Sequence, residues 1–441
     1  MPVPDHDRVL LKDSPSGGNH TTRTRSSVPA GALGLVAAGL FLAALNLRPA
    51  ISGLGPLLEE VRSGLGMNAT VAGLLTSVPA LCFAVFGVTA PRLARRFGPV
   101  AVVLAGMAAV TAGLALRSLA GGTAVFLATT ALALAGIAVG NVLMPVIVKR
   151  YFPDRVGTMT GLYSMALALG TAGAAAFTVP LTQALGGNWR TGLGMWAVLA
   201  APALLVWLLV LLRDPAGRGT RKAPADPGPA AAPETVGPAG RGPAAEATRI
   251  RITRSATAWA LAVFFGLQAT GAYITMGWMP QIFRDAGVPA ATAGLLLAVI
   301  MGMGVPLAFV LPRVAARMRH QGPLVAALGA CGLAGYAGLW WAPAEGAWAW
   351  ALLLGISNCA FPVALTMLGM RARTSGGVAR LSAFAQSTGY LISIPGPLLV
   401  GALYDRSGGW QAPLLLMAVL MTAQICVGVV AGRDRCVEDG G

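Results

Sequence analysis

The sequence predicts an all-α membrane protein with twelve transmembrane helices arranged as two pseudo-symmetric six-helix bundles. Three observations predict it: the composition, the train of long apolar segments, and a repeat between the two halves of the chain. Hydrophobic residues fill 56% of 441 positions and charged residues only 11%, a balance foreign to soluble globular chains. Twelve apolar segments lie at about 30–58, 70–90, 99–119, 122–148, 156–184, 191–212, 257–283, 290–311, 323–342, 347–370, 378–403 and 411–431. Each is close to or above the roughly 20 residues that cross a bilayer core.

The repeat has a constant register. Gly66 matches Gly287, Ala72-Gly73-Leu74-Leu75 matches Ala293-Gly294-Leu295-Leu296, the Pro91-Arg92-x-Ala94-x-Arg96 run matches Pro312-Arg313-x-Ala315-x-Arg317, and Trp189 matches Trp410. All four pairs share an offset of 221. An offset of 217 pairs Asn141-x-x-x-Pro145 with Asn358-x-x-x-Pro362 on the fourth and tenth segments. Parallel six-helix repeats imply two bundles that face each other around a path near the midplane.

Residues 1–29 are polar and lack a short apolar core followed by a small-residue cleavage site, so a disordered tail leading into an uncleaved first helix is expected. The first segment opens an N-terminal bundle over 30–212 and carries a single charge, Arg48, inside Asn46-Leu47-Arg48-Pro49. An arginine at membrane depth costs on the order of 2.5–3.5 kcal/mol on insertion scales, which favours a wet cavity or a partner. Pro49 cannot donate to the carbonyl of Leu45, and the helical neighbours Ala44, Ser52 and Gly55 are small; the chain therefore leaves both an open acceptor and room beside the guanidinium. This reads as the anion-sensing point of a transport pathway, with Asn46 beside it. The competing reading is an arginine that reaches the headgroups.

Further along, Arg117 ends the third segment and is expected to snorkel. In the fourth segment Pro145 removes the donor for the carbonyl of Asn141, giving a compact group of donors and acceptors and a kink that suit a cavity wall; an asparagine that bonds a neighbouring helix is the alternative. Tyr163 in the fifth segment is placed equally by cavity and packing. Residues 213–255 contain seven prolines, six glycines and no aromatic residue, the composition of a flexible linker. A C-terminal bundle at 256–432 and a short tail at 433–441 complete the chain.

In the second half, the seventh segment carries Gln268, Tyr273 and Trp278. Tyr273 needs a hydroxyl partner in mid-helix and suits cargo binding, whereas for Trp278, near the outer interface, an aromatic-belt role stands beside a cargo role. Asn358 and Pro362 repeat the logic of Asn141 and Pro145. The eleventh segment holds Gln386, Ser387 and Tyr390 before Pro395-Gly396-Pro397, a kink suited to gating; Pro49, Pro145 and Pro362 are the other expected conformational points.

The charges give orientation. With the N-terminus cytoplasmic, inner tails and loops hold 26 Lys and Arg against five in outer loops, Arg48 completing the 32. That asymmetry places both termini in the cytoplasm by the positive-inside rule, so the net charge of +16 reflects topology and anionic lipid rather than nucleic acid. No carboxylate lies mid-helix, which argues against an acidic-pocket cation antiporter. The five cysteines and three histidines form no metal spacing, and no nucleotide-binding loop or nucleophile–base pair is present. No cofactor, no metal and no enzymatic activity are expected, and a monomer in the inner membrane contacting lipid and a small-molecule cargo is.

The loop after the second segment reads Gly87-x-x-x-Pro91-Arg92-x-Ala94-Arg95-Arg96. Here the chain resembles the major facilitator superfamily, whose signature at this loop is Gly-x-x-x-(Asp/Glu)-Arg-x-Gly-x-(Arg/Lys)-(Arg/Lys). Gly87, Arg92, Arg95 and Arg96 fit, while Pro91 and Ala94 depart from it. The resemblance implies that this loop helps latch one conformation through Arg92, Arg95 and Arg96; loss of the acid puts that latch in doubt. Asn46-Leu47-Arg48-Pro49, Gly55-Pro56-Leu57-Leu58, Gly140-Asn141-Val142-Leu143-Met144-Pro145 and Phe264-Phe265-Gly266-Leu267-Gln268 further resemble the cyanate and 2-nitroimidazole transporter branch. That resemblance implies a twelve-helix secondary transporter with helices 1, 4, 7 and 10 lining the cavity. Arg48 favours a small polar or anionic solute through its planar donor fork. Efflux of neutral aromatic compounds and a non-transporting membrane sensor are the alternatives.

Overall fold

The computed structural model describes residues 30–213, 252–373 and 375–437. The expected N-terminal tail and nearly all of the 213–255 linker lie outside the described residues. Within them the chain is helical and has no strand. The first span is broken: α1 (Ala30–Asn46), α2 (Pro49–Ser52), a 3-10 turn at Gly55–Leu57 and α3 (Leu58–Leu65) follow one another. Five long helices complete the first half: α4 (Ala69–Phe97), α5 (Pro99–Ser118), α6 (Thr123–Tyr151), α7 (Val156–Ala184) and α8 (Trp189–Arg213).

The second half starts with α9 (Ala256–Asp285). Its next spans are α10 (Ala290–Gly302) with α11 (Gly304–Arg317), α12 (Gly322–Trp341), and α13 (Ala347–Asn358) with α14 (Ala360–Met370). Then come α15 (Ser375–Ser393), α16 (Pro395–Ser407) and α17 (Gln411–Ala431). Eleven stretches of the described residues are long and apolar enough to cross a bilayer. The twelfth, α15 with α16, falls short because its first part carries Arg380, Ser382, Gln386, Ser387 and Thr388 and the helix stops before Pro395.

Four breaks share one cause. Pro49, Pro306, Pro362 and Pro395 each lack the N–H that would pair the carbonyl four residues back, on Leu45, Gly302, Asn358 and Leu391. Proline alone does not force a break. Helices α4, α6, α7, α8, α9 and α11 run through Pro79, Pro91, Pro145, Pro180, Pro202, Pro280 and Pro312, so the expected kink at Pro145 leaves α6 continuous.

Small residues set the packing, as expected where backbones must approach closely in lipid. Within the first half, a Cβ on Gly136 would sit 2.3 Å from the carbonyl oxygen of Gly106, so only glycine lets α5 and α6 meet there. The halves contact each other through α7 against α10 and through α4 against α15 and α16. The 3-10 turn also rests on α9. Arg92, Arg95 and Arg96 mark one face of the molecule; the helices alternate between this basic face and an opposite face that bears Glu59, Glu60, Asp285 and Asp405.

Candidate transport cavity

The break after Asn46 shapes the site. Leu47 and Arg48 leave helical geometry, and the Arg48 carbonyl is taken by the amides of Ile51 and Ser52 and by the Ser52 hydroxyl at 3.0–3.1 Å. The Arg48 side chain thereby turns into a cavity of about 320 Å³ shared by both halves. The lining includes Ser164 and Thr171 of α7, Tyr273 of α9, Asn358, Phe361 of α14 and Tyr390 of α15. Arg48 is the one charged residue in that lining. Among the described residues its guanidinium has no ion-pair partner and no hydrogen bond.

The cavity descends toward the basic face. Ser164 lies eight residues into α7 and Leu365 five before the end of α14, which at 1.5 Å per residue puts both within roughly 12 Å of that face. The opposite end is shut. There Gly55 and Gly401 press against the backbone carbonyls of Met276 and Ala69, each from the other half.

Polar clasps reinforce the shut end. Arg284, at the end of α9, donates to both carboxylate oxygens of Glu60 at 2.8 and 2.9 Å and to the Pro56 carbonyl at 3.1 Å. Asp405 of α16 accepts from the backbone N–H of Ala69 at 3.0 Å, and from the backbone N–H and hydroxyl of Thr70 at 2.7 Å each. A carboxylate from one half thus caps the α4 N-terminus of the other, where helix dipole and free N–H groups favour negative charge. Burial pushes the Asp405 pKa up, but the Thr70 and Ala69 hydrogen bonds, with Arg62 nearby, hold it below the ordinary carboxylate value. The Arg62 guanidinium also lies 5.9 Å from the Tyr404 ring of the other half.

The residues singled out in sequence scatter over several settings. Arg48, Tyr273, Asn358 and Pro362 line the cavity. Gln268 is buried one layer behind, donating to the Asn358 backbone carbonyl at 3.1 Å and accepting from Gln424 at 2.7 Å. Asn46 turns away into its own half, where its amide donates to the carbonyls of Leu42 and Leu199 at 2.8 and 3.1 Å. Asn141 bonds its own helix at the Ile137 carbonyl, 2.9 Å away, and Gln386 bonds Ser382 on its own helix at 2.8 Å. Tyr163 packs partly buried beside the core, one residue from the lining Ser164. Pro49 and Pro395 start α2 and α16; Arg92, Arg95 and Arg96 are exposed at the end of α4, Arg96 with its guanidinium 5.1 Å from the Phe97 ring.

Two expectations are corrected. Arg117 does not snorkel: it is wholly buried and donates to the Ala50 carbonyl at 2.9 Å. The reason is that α2 ends at Ser52, so Ala50 lacks a helical donor four residues on and the guanidinium supplies one. Trp278 is not in an aromatic belt. It is fully buried, with its indole N–H on the Pro397 carbonyl at 3.2 Å and its ring edge-on to Trp410. Tyr390, named in the sequence without a role, proves central: it stacks on Phe83 of the other half at 5.2 Å and meets Phe265 edge-on. Its one readable signal is the four-residue step from Gln386 on a polar helix.

The model of the Major Facilitator Superfamily matches residues 35–393. The chain belongs to that superfamily. It is 33% identical over 400 residues to the 2-nitroimidazole transporter of Escherichia coli (strain K12), covering 90% of this chain and 95% of that protein. It is 27% identical to the cyanate transport protein CynX of the same organism, over 84% of this chain and 90% of the other. Among solved structures, the nucleoside transporter NupG superposes with a TM-score of 0.70 at 10% identity, over 90% of this chain and 99% of that one, a likeness of fold.

Proposed function

We propose that this protein is a secondary active transporter. It moves a small polar or anionic solute, cyanate-like or nitroimidazole-like, across the inner membrane by alternating access, as a monomer with both termini cytoplasmic. The observation that carries the reading is Arg48: among the described residues it is the sole charge lining a 320 Å³ cavity between the halves, and its guanidinium has no hydrogen-bond or ion-pair partner there. A cation kept at that cost is best explained by an anionic or electronegative partner that arrives and leaves. The names of the two Escherichia coli relatives support this solute class.

In mechanism, cargo enters from the basic face, meets the guanidinium fork of Arg48 with Tyr273, Tyr390 and Asn358 around it, and stops at the shut end. Loss of the Glu60–Arg284 and Asp405–α4 clasps then lets the halves rock and exposes the cavity to the far side. The excess of positive charge on the basic face supports a cytoplasmic orientation for it. Residues 213–255 link the two bundles.

Arg48→Gln is expected to abolish solute uptake or efflux in proteoliposomes while purification yield is kept. Arg48→Lys should also transport poorly, because a point charge does not replace the fork. Wild-type transport of cyanate or 2-nitroimidazole by Arg48→Gln would overturn the assignment. The largely apolar remainder of the wall, with Phe361, Met276 and Met301, supports a second reading, efflux of neutral aromatic compounds. A deletion strain hypersensitive to such drugs but not to cyanate would favour it.

A further inference from the structure

The carbonyl of Asn358 is left without a helical donor by Pro362, and the structure shows what takes it. Gln268, buried on α9, donates its side-chain N–H₂ to that backbone oxygen at 3.1 Å and lies 3.4 Å from the Asn358 Oδ1. A backbone carbonyl accepts and never donates, so the atom of Gln268 that meets it must be nitrogen. The other terminal atom of Gln268 is then its oxygen, and it accepts from the Gln424 side-chain amide of α17 at 2.7 Å. Beside the Gln268 nitrogen, 3.4 Å away, an oxygen of Asn358 is favoured over a second N–H₂ donor, and this turns the Asn358 N–H₂ outward. Among the described residues it meets there only the soft sulfur of Met301 at 4.0 Å, and both residues line the main cavity.

We infer that Asn358 is a specificity-determining residue whose carboxamide is held donor-first toward the cavity by Gln268 and Gln424, so that the site selects solutes presenting hydrogen-bond acceptors. The inference rests on the main cavity being the cargo site. Beside Arg48, which has donors and no acceptor, a second fixed donor favours carboxylate, cyanate or nitro groups and disfavours amines. Gln268 and Gln424 are positioning residues: both are buried, and they act through Asn358. The equivalent Asn141 has no such relay, since its amide is spent on its own helix.

The test has two arms on the full-length protein in detergent. In the first, side-chain amide proton exchange is followed by NMR after ¹⁵N labelling of Asn and Gln, with Asn358→Leu, Gln268→Met and Gln424→Met providing assignments. Gln268 and Gln424 should exchange slowly and Asn358 fast. An Asn358 amide as protected as that of Gln268 overturns the inference whether or not any solute binds. In the second arm, binding of cyanate and of 2-nitroimidazole is measured by thermal shift. Asn358→Leu should weaken binding about tenfold and Gln268→Met or Gln424→Met severalfold, with neither glutamine substitution adding anything in the Asn358→Leu background. Additive losses would mean that the glutamines act by general stability, and would overturn the positioning role. If wild-type protein binds neither probe, the cargo reading fails for them while the exchange arm still decides the orientation.

Discussion

Two glycines at the shut end make the alternating-access reading testable without touching the cargo site. A Cβ on Gly55 would lie 2.2 Å from the Met276 carbonyl oxygen, and one on Gly401 would lie 2.1 Å from that of Ala69. Ordinary contact begins near 3.4 Å, so each alanine falls short by about 1.2–1.3 Å against backbone of the opposite half. No side chain can swing aside; the helices themselves must separate. Overpacking of this kind costs roughly 1–3 kcal/mol, about a 5- to 150-fold change in the balance of shut and open forms. The assay is the distance distribution between spin labels at Ser63 and Arg406, exposed positions on the two halves beside this end. Gly55→Ala and Gly401→Ala should each populate longer distances. Gly136→Ala is the control, because its clash with the Gly106 carbonyl at 2.3 Å lies within one half: it should lower the melting temperature and leave the distances alone. Unchanged distances in Gly55→Ala and Gly401→Ala, or lengthening in Gly136→Ala, would refute the reasoning.

The polar clasps should contribute less than the glycines. The Arg284–Glu60 pair is partly solvated, at 20% and 33% exposure, so Arg284→Gln should change the balance of shut and open forms, read from the same label distances, severalfold at most and lose its effect in high salt. Asp405 has its pKa depressed in the shut form; its clasp is therefore intact above the ordinary carboxylate value and fails as pH falls through the lowered one. Label distances should stay constant from about pH 5 to 8 and lengthen only in stronger acid, a step that Asp405→Asn removes. Pro362→Ala restores an N–H that competes with Gln268 for the Asn358 carbonyl, so thermal shifts should show a more stable protein that binds cyanate or 2-nitroimidazole more weakly. Pro145→Ala should raise stability with binding unchanged.

The fold was legible because its signals are one-dimensional: segment length, charge alternation across successive loops and a constant repeat register survive without knowledge of contacts. The site was legible only in part. Arg48 stands out since a charge in an apolar run demands a reason from sequence alone. Asn46, two residues away, looked equivalent, yet the break between them rotates one side chain into the cavity and the other toward Leu199. Arg117 and Trp278 sat at segment ends, where lipid interface and protein interior have the same composition. Only the partner carbonyls of Ala50 and Pro397 distinguish the two settings. The clasps were invisible for another reason: Glu60 and Arg284 are 224 residues apart, and nothing in either neighbourhood marks the other.

The Asn-x-x-x-Pro pair shows most clearly where repeat logic stops. Both copies leave a carbonyl unpaired by the same proline chemistry, yet α6 continues through Pro145 while the tenth span breaks at Cys359. The difference lies in what stands nearby. Gln268, itself held by Gln424, reaches the second carbonyl and its side chain, and that support lets the break persist where a bare polar group would be expensive in a membrane. Asn141 finds only its own preceding turn, so its helix keeps its shape. A duplicated motif thus fixes where a helix is weak, while the neighbouring helix decides whether the weakness becomes a hinge, a cavity wall or neither. The proposed cargo site is accordingly lopsided, with a cation from the first half and, in the orientation inferred above, an amide donor from the second. A polar solute bound between them contacts both halves at once, which is what coupling its occupancy to their relative rocking requires.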